Sequence, residues 1–295
     1  MKGNQIFKSE GFIISLFLAP AVFFCFLYLV SPVPLSAFYS FFDWEGMGKM
    51  TFVGWENWIN LFHDKIFWSA VANNFKLVGI SLIIQIPIGI ILAVLLTRKI
   101  KGTDFFKTIY FIPMLISSVA VAVMWRYIFD PNFGLLNSLF TRIGLEGWAL
   151  SWLGNPDIAF YSASVPIQWR FIPLYMIIFM AGISGIPDQL YEAAKIDGAT
   201  PWQSFWHITI PLLRSTIINA AVLVIVGSLK YFAIIFALTG GGPNHASELM
   251  ATYLYQKAFT EMNMGYGSAV SVALFLIAFI VSLVFLGVTK KDVRD

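Results

Sequence analysis

Six long apolar segments dominate this 295-residue chain and restrict it to folds that form in a lipid bilayer. By hydropathy they fall at roughly residues 12–36, 73–96, 105–129, 160–183, 215–238 and 266–288. Each reaches the roughly 20 residues that a helix needs to cross the hydrocarbon core. Charged residues make up only 12% of the chain, about half of the roughly 25% usual in globular proteins. The sequence therefore predicts an all-α polytopic membrane protein with six transmembrane helices.

Positive charge is concentrated in the N-terminal head, in the link between the second and third segments, and in the C-terminal tail. The residues are Lys2, Lys8, Arg98, Lys99, Lys101, Lys107, Lys290, Lys291 and Arg294. Because cytoplasmic loops carry the excess of Lys and Arg, both termini are predicted to be cytoplasmic. The first apolar run lacks a small-residue cleavage site and is expected to remain as a span. The opposite connections carry interface aromatics, namely Trp44, Trp55, Trp58, Trp148 and Trp152.

The connection between the fourth and fifth spans is polar and carries its own helix signals. Asp188 is a candidate N-cap, and Gly198 suits the left-handed conformation that ends many helices. Thr200 offers a second N-cap, with Pro201 at the first helical position and Gln203 completing a capping box. These signals predict two short helices joined by a glycine turn, on the cytoplasmic side of the membrane.

The surface of this helix pair permits two interpretations. Ala193 and Ala194 are small, so that another body could approach them closely. Trp202, Phe205 and Trp206 could instead anchor the helices flat on the membrane interface. The capping signals alone do not distinguish a docking element for another protein from a loop that lies on the membrane.

The stretch EAAKIDGATPWQSFWHITIP resembles the EAA loop of ABC-importer permeases, in which Glu-Ala-Ala is followed at fixed spacing by Gly, Ile and Pro. The matching residues are Glu192, Ala193, Ala194, Gly198, Ile208 and Pro211. FVGWENWINLF, FFKTIYFIPMLISSVAVAVMWRYIFDPNFGLLN and LTGGGPNHASELMATYLYQKAF extend the similarity over nearly the whole chain. They resemble the carbohydrate-uptake branch of these permeases, and within it the larger membrane subunit of maltose transporters.

This resemblance implies a single permease domain over residues 1–295 in a bacterial plasma membrane, with an EAA coupling helix in the loop 186–211. The six matching residues would dock in a groove of a cytoplasmic ATPase. The implied partners are a second homologous permease, two ATPase subunits and an external solute-binding protein that delivers a sugar or oligosaccharide. No cofactor is expected on this chain, since ATP and Mg²⁺ would be used by the ATPase.

Polar and aromatic residues of the last three spans are candidates for a substrate path, because polar groups inside a membrane are costly. They are Gln168, Trp169, Arg170 and Tyr175 in span four, Ser228, Lys230 and Tyr231 in span five, and Asn263, Ser268 and Ser271 around the start of span six. Sugars present hydroxyls and weakly apolar C–H faces, which suit hydrogen-bonding side chains beside aromatic rings. The resemblance implies that the matching positions line a sugar cavity.

These residues also have purely structural explanations. Arg170 could extend its head to the outer interface, and Lys230 could pair with a carboxylate of a neighbouring helix. The serines are small enough to serve helix packing alone. Asn73, Asn74 and Gln85 in span two are predicted to hydrogen-bond between helices.

Two classes of solute are compatible with these residues. A neutral sugar or oligosaccharide is the first expectation. If Arg170 and Lys230 both face the path, an acidic sugar such as a uronic-acid oligosaccharide, or a glycerol phosphate, becomes the alternative.

Other classes of protein fit the sequence less well. His63, His207 and His245 are widely separated, and no nucleophile, zinc or P-loop signature is present, so neither a catalytic residue nor a metal site is predicted. Cys25 is alone, and Gly240–Gly242 is expected to form a turn. An autonomous secondary transporter is a further alternative, although no duplicated half and no intramembrane carboxylate support it.

Overall fold

The computed structural model describes residues 10–97 and 102–291, which form two compact units. The first unit comprises the described residues before Lys65 together with Leu254–Ala273. The second comprises Lys65–Tyr253 and the described residues from Leu274 onwards. Much of the basic charge used to predict sidedness lies outside the described residues, namely Lys2, Lys8, Arg98, Lys99, Lys101 and Arg294. The orientation of the termini therefore stays a prediction.

Helices make up most of both units, as predicted. The α-helices are α1 Glu10–Cys25, α2 Pro32–Tyr39, α3 Glu56–His63, α4 Lys65–Thr97, α5 Thr103–Leu115, α6 Ser118–Ile128, α7 Leu135–Arg142, α8 Pro156–Ser184, α9 Asp188–Ile196, α10 Pro201–Ser204, α11 Ile210–Leu212, α12 Arg214–Leu229, α13 Ala233–Leu238, α14 Met250–Tyr255 and α15 Met264–Lys291. Shorter helical turns are the π segments Phe26–Val30, Phe205–Thr209 and Gln256–Thr260 and the 3₁₀ turn Glu146–Trp148.

Five stretches of helix in the described ranges are long and apolar enough to cross a membrane. They are Ile14–Tyr39, Lys65–Thr97, Pro156–Ser184, Arg214–Leu238 and Met264–Thr289. Each overlaps a segment predicted from hydropathy, although the second begins well before residue 73. Arg214–Leu238, which corresponds to the fifth predicted span, is interrupted between α12 and α13.

The predicted span at 105–129 is sharply bent, because α5 and α6 meet at an angle of 97°. Ile116 adopts an extended conformation after α5, and Ser117 begins α6 by accepting a hydrogen bond from Ala120 N at 3.2 Å. A serine side chain that bonds to nearby backbone competes with the helix ladder. Hydropathy detects the length of such a segment but not this change of direction.

A small β ribbon in the first unit departs from the all-α prediction. Strands β1 (Phe42–Asp43) and β2 (Thr51–Phe52) pair antiparallel, with Phe42 opposite Phe52. Gly46 and Gly48 between them have φ of 94° and 79°, values that favour glycine in the connecting turn. The ribbon is short because only two residues of each strand pair.

The core of the second unit depends on close approach between long helices. A Cβ placed on Gly89 of α4 would lie 3.0 Å from Tyr175 Cβ and 3.3 Å from Met176 N of α8. Gly182 of α8 similarly faces a Leu213 methyl group, at 2.7 Å from its own Cβ position. Small residues are the usual means by which membrane helices pack without a hydrophobic driving force between them.

The two half-helices α6 and α13 are joined by a charge-assisted contact. Arg126 Nη2 donates to Ala237 O at 2.6 Å and to Leu238 O at 3.0 Å. These carbonyls belong to the last turn of α13, where intrahelical partners run out. A cation placed there also complements the helix dipole.

Candidate coupling loop and intramembrane polar cluster

The polar connection folds into the helix pair that its sequence predicts. α9 ends in a Schellman arrangement, in which Ala199 N donates to Ala194 O at 2.8 Å and Gly198 N to Lys195 O at 3.2 Å. Gly198 has φ of 80°, and nothing lies within 4 Å of its Cβ position. Its backbone angle, rather than crowding, therefore favours glycine.

The start of α9 differs from the prediction by one residue. Pro187 holds the N-cap position with φ −60° and ψ 129°, and Asp188 is the first helical residue. The predicted Asp188 cap is therefore wrong, because Asp188 already lies inside the helix. Pro187, which holds the cap position, makes no side-chain cap hydrogen bond. The carboxylate of Asp188 still lies in the first turn, where negative charge is favourable to the helix dipole.

The second helix, α10, begins with the predicted capping box. Gln203 N donates to Thr200 Oγ1 at 3.3 Å, and Thr200 N donates to Gln203 Oε1 at 2.8 Å. Pro201 occupies the first turn, as predicted. Two backbone N–H groups are thus satisfied by reciprocal hydrogen bonds between residues that are three positions apart.

The helix pair is attached firmly to the long helices on either side. Tyr191 and Ile208 pack against a buried cluster that includes Ile183 of α8 and Leu213 before α12. Tyr191 Oη and Thr209 Oγ1 are 3.0 Å apart and form a hydrogen bond across the loop. A displacement of α9 would therefore be transmitted to α8 and α12 together.

The outer surface of the helix pair exposes both polar and apolar side chains. Glu192 and Ala193 are exposed, Ala194 is half-buried, and Ile196 is 87% exposed. Trp202 is also exposed at 68%. Exposed apolar groups of this size beside a polar helix are typical of a surface that another body covers. Ile208, by contrast, is half-buried, and Pro211 is exposed before α12.

Two predicted path residues lie between helices, and their part in a substrate path stays a prediction. Gln168 is buried, where its Oε1 accepts from Gln85 Nε2 at 2.8 Å and its Nε2 donates to Ser81 Oγ at 3.2 Å. Tyr175 is 4% exposed in the core against α4. The predicted interhelical role of Gln85 is thus confirmed, and Gln168 is its partner.

Arg170, Ser118 and Tyr231 form a polar cluster with unused hydrogen-bonding capacity. Arg170 is half-buried, donates to Ser118 Oγ, and acts electrostatically on the Tyr231 hydroxyl. Arg170 Nε and Trp125 Nε1 are buried without a hydrogen-bond partner in the described ranges. Trp169 lies beside Trp125, with ring centroids 6.0 Å apart. Arg170 is therefore turned into the helix bundle rather than away from it.

Lys230 lies at the interruption of the fifth span, directly after α12. It is exposed, and its ammonium has no carboxylate partner within the part of the chain that the structure describes. The suggested pairing with a neighbouring helix is therefore not found. Ser228 is buried two residues earlier, and its carbonyl accepts from Asn74 Nδ2 at 2.9 Å.

A buried carboxylate that the sequence analysis missed lies near this interruption. Glu248 is 1% exposed, accepts from Thr252 Oγ1 at 2.5 Å, and pairs with His245 Nδ1 at 2.9 Å. Asn73 Nδ2 donates to the carbonyls of Ala246 and Glu248, at 3.0 and 3.1 Å. The sequence signal for this buried carboxylate was the polar stretch that follows Gly240–Gly242. The three glycines themselves form the predicted turn, with φ of 61° at Gly240 and 90° at Gly241.

The remaining predicted path residues belong to the first unit. Asn263 is exposed, and its Oδ1 accepts from Tyr266 N at 3.0 Å at the start of α15. Ser268 and Ser271 are half-buried on the same helix. In this unit Tyr266 Oη also donates to Asp64 Oδ2 at 2.6 Å. Within the unit Asn263 therefore caps a helix, and its part in a substrate path stays a prediction.

Known proteins resemble this chain over nearly its whole length. Residues 85–290 match the family model described as binding-protein-dependent transport system inner membrane component. The Probable ABC transporter permease protein YurN of Bacillus subtilis (strain 168) is 39% identical, over 91% of this chain and 92% of the relative. The Probable starch degradation products transport system permease protein AmyD of Thermoanaerobacterium thermosulfurigenes is 31% identical, over 98% of each chain.

A solved structure shares the fold. It is the crystal structure of a bacterial alginate ABC transporter in complex with an alginate pentasaccharide-bound periplasmic protein. One of its chains matches with a TM-score of 0.83 and 23% identity, covering 95% of this chain and 94% of that one. With most of its length matched by the family model and by relatives of this identity, the chain belongs to the inner membrane components of binding-protein-dependent transport systems.

Proposed function

We propose that this chain is the permease subunit of an ATP-driven importer and that it moves a sugar or oligosaccharide delivered by an external binding protein. AmyD is named for starch degradation products, and the alginate transporter is described with a periplasmic protein that holds an alginate pentasaccharide. Both support carbohydrate as the cargo. The working assembly pairs this chain with a second homologous permease and two cytoplasmic ATPase subunits in a bacterial plasma membrane.

The main observation behind this proposal is the firm attachment of α9 to the long helices α8 and α12. The Schellman end of α9 and the Tyr191–Thr209 hydrogen bond leave the loop little freedom to move alone. With both termini cytoplasmic, as the charge pattern predicts, the loop faces the ATPase. ATP binding then draws α9 inward, and α8 and α12 tilt with it as rigid bodies. Hydrolysis, carried out by the ATPase, returns them.

The polar cluster around Arg170 supports a path for hydroxyl-rich cargo in the same unit. Two buried N–H donors without partners each carry a cost of about 1–3 kcal/mol that a ligand or water would remove. Phe171 places an aromatic ring beside Arg170, and the rings of Trp125 and Trp169 pack edge to face. Donors next to aromatic faces are the combination that sugar recognition uses.

The test of coupling is a crosslink in the assembled transporter. The Cys25→Ala chain carrying Ala193→Cys is reconstituted in lipid with its permease partner and single-cysteine ATPase variants. We expect Ala193→Cys to crosslink to the ATPase and Gly198→Val to abolish sugar uptake. If the position never crosslinks in a complex that transports sugar, the docking role is wrong. Ion-driven uptake by the lone chain would contradict the importer function as a whole.

The charge of the cargo has its own test. Uptake of a neutral and of an acidic oligosaccharide is compared for the wild type, Lys230→Ala and Arg170→Gln. Neutral-sugar uptake is expected to fail in Arg170→Gln and to persist in Lys230→Ala. Loss of acidic-sugar uptake alone, in both variants, would instead identify an acidic solute.

A further inference from the structure

A pocket of about 290 Å³ opens between the end of α9 and the helix that follows it. Its polar lining includes Asp197, Gln203 and His207, and its apolar lining includes Ala194, Ala199 and Ile208. The volume lies at the lower limit of small-molecule sites. It suits a single long side chain better than a free ligand. The lining comes from both sides of the Gly198 turn, so an occupant would touch both short helices.

Two polar side chains of the pocket, Asp197 and His207, offer hydrogen-bond acceptors. His207 Nδ1 lies 2.9 Å from Gln203 O, and a carbonyl can only accept, so Nδ1 carries the proton. A neutral His207 ring therefore leaves Nε2 as an acceptor. The Gln203 Oε1 is already used by the capping box, which leaves its NH₂ group as a donor.

Asp197 supplies the charge. It is the acidic residue of the lining, which contains neither lysine nor arginine. Its carboxylate is exposed and forms no ion pair or side-chain hydrogen bond within residues 10–97 and 102–291. The pocket therefore presents one negative charge and an additional acceptor, while its alanine and isoleucine walls can accommodate the methylene stem of a basic side chain.

We infer that this pocket is a socket for an arginine or lysine side chain of the partner ATPase, an inference that rests on the proposed docking of α9. Ile196, 87% exposed immediately before Asp197, extends the same contact as an apolar neighbour. An interface with a buried apolar centre and a charged anchor is typical of protein partners. A side chain seated between α9 and α10 resists withdrawal. The ATPase can therefore pull the loop as well as push it.

The experiment measures the affinity of the ATPase for the full permease pair in nanodiscs, at about 50 and about 300 mM salt. The variants are Asp197→Asn, Asp197→Lys and the pocket-filling Ala194→Leu, and the matched control is Asp188→Asn at the other end of α9. We expect Asp197→Asn to weaken binding about tenfold at low salt, as for a lost charged hydrogen bond, and to flatten the salt dependence. Asp188→Asn is expected to change affinity less than about twofold.

Folding is controlled by equal elution and equal unfolding temperature of the variants. Rescue of Asp197→Lys by reversing one ATPase Arg or Lys to Glu identifies the inserted side chain. Wild-type affinity and salt dependence in Asp197→Asn would overturn the socket, even when Ala193→Cys still crosslinks and the proposed function stands. Failure of that crosslink as well, in a transporting complex, would overturn the docking itself.

Discussion

The helix pair α9–α10 and the buried network around Asn74 are both polar, yet they are stabilised in opposite ways. The helix pair satisfies its backbone within a few residues of sequence, through the Gly198 end and the Thr200 cap. Asn74 reaches groups that lie more than 150 residues away along the chain. The first region is exposed and can form from local signals, whereas the second exists only once the long helices have packed. The comparison shows that the loop can form from residues close in sequence, whereas the network that holds the bundle needs residues that are distant in sequence.

The largest expected effect comes from removing Asn74, which is fully buried. Its Nδ2 donates to Ser228 O and Leu229 O at 2.9 and 2.8 Å, and its Oδ1 accepts from Met250 N at 2.8 Å. Asn74→Leu leaves these groups unsatisfied and should destabilise the unit by about 3 kcal/mol or more. Thermal unfolding in detergent measures this loss. Exposed Asn219→Leu is the matched control, and equal unfolding temperatures for the two would contradict the prediction.

A smaller loss should follow from enlarging the α4–α8 contact. Gly89→Leu must displace Tyr175 and Met176 and is expected to cost about 1–3 kcal/mol by overpacking. Gly79→Leu, on the same helix with nothing within 4 Å, gains the same helix propensity without a clash. The difference in unfolding temperature between the two variants isolates the packing effect. Its absence would mean that α4 and α8 are not closely packed.

The separation of binding from stability is tested by two glycines with almost the same backbone. Gly198 and Gly144 have φ of 80° and 78°, and both have open space around them. Alanine at either should cost about 1–2 kcal/mol of local strain. Only Gly198→Ala is expected to reduce ATPase affinity, because only it reshapes the loop. Equal ATPase affinity in both variants would remove α9 from the interface.

The smallest effect is expected at the α10 cap. Thr200→Ala removes the acceptor of Gln203 N and should cost about 1 kcal/mol. Because α10 is exposed, the loss should appear as faster hydrogen exchange at Gln203 without a change in global unfolding. Exposed Thr260→Ala is the matched control. A global loss of stability from Thr200→Ala would show that loop and bundle unfold together.

The sequence predicted best where the cause was local. Gly198, Thr200 and Gln203 were identified because each acts on backbone three to five residues away. The Asp188 cap was placed one residue late because Pro187 also satisfies an extended N-cap conformation. Only the backbone dihedral angles show which of two neighbouring residues holds the N-cap position.

Long-range features were predicted in kind but not in pairing. Gln85 was expected to bond across helices, but nothing in the sequence identified Gln168 as its partner, 83 residues away. Gln168 and Arg170 looked equivalent in span four, and helix packing separates them, since one is paired in the core and the other retains a free buried N–H. The burial of Glu248 likewise depends on how the loop closes over it.

The hydrogen bonds of Arg126 to the end of α13 have a mechanical consequence. α13 ends at Leu238, the last residue of its apolar stretch, and one guanidinium of α6 donates to two of its terminal carbonyls. Sliding α6 past α13 would break both hydrogen bonds and leave the Arg126 guanidinium and the two carbonyls without these partners. These hydrogen bonds tie α6 to α13, so that a tilt of α12 of the kind proposed for the transport cycle would also reach α6.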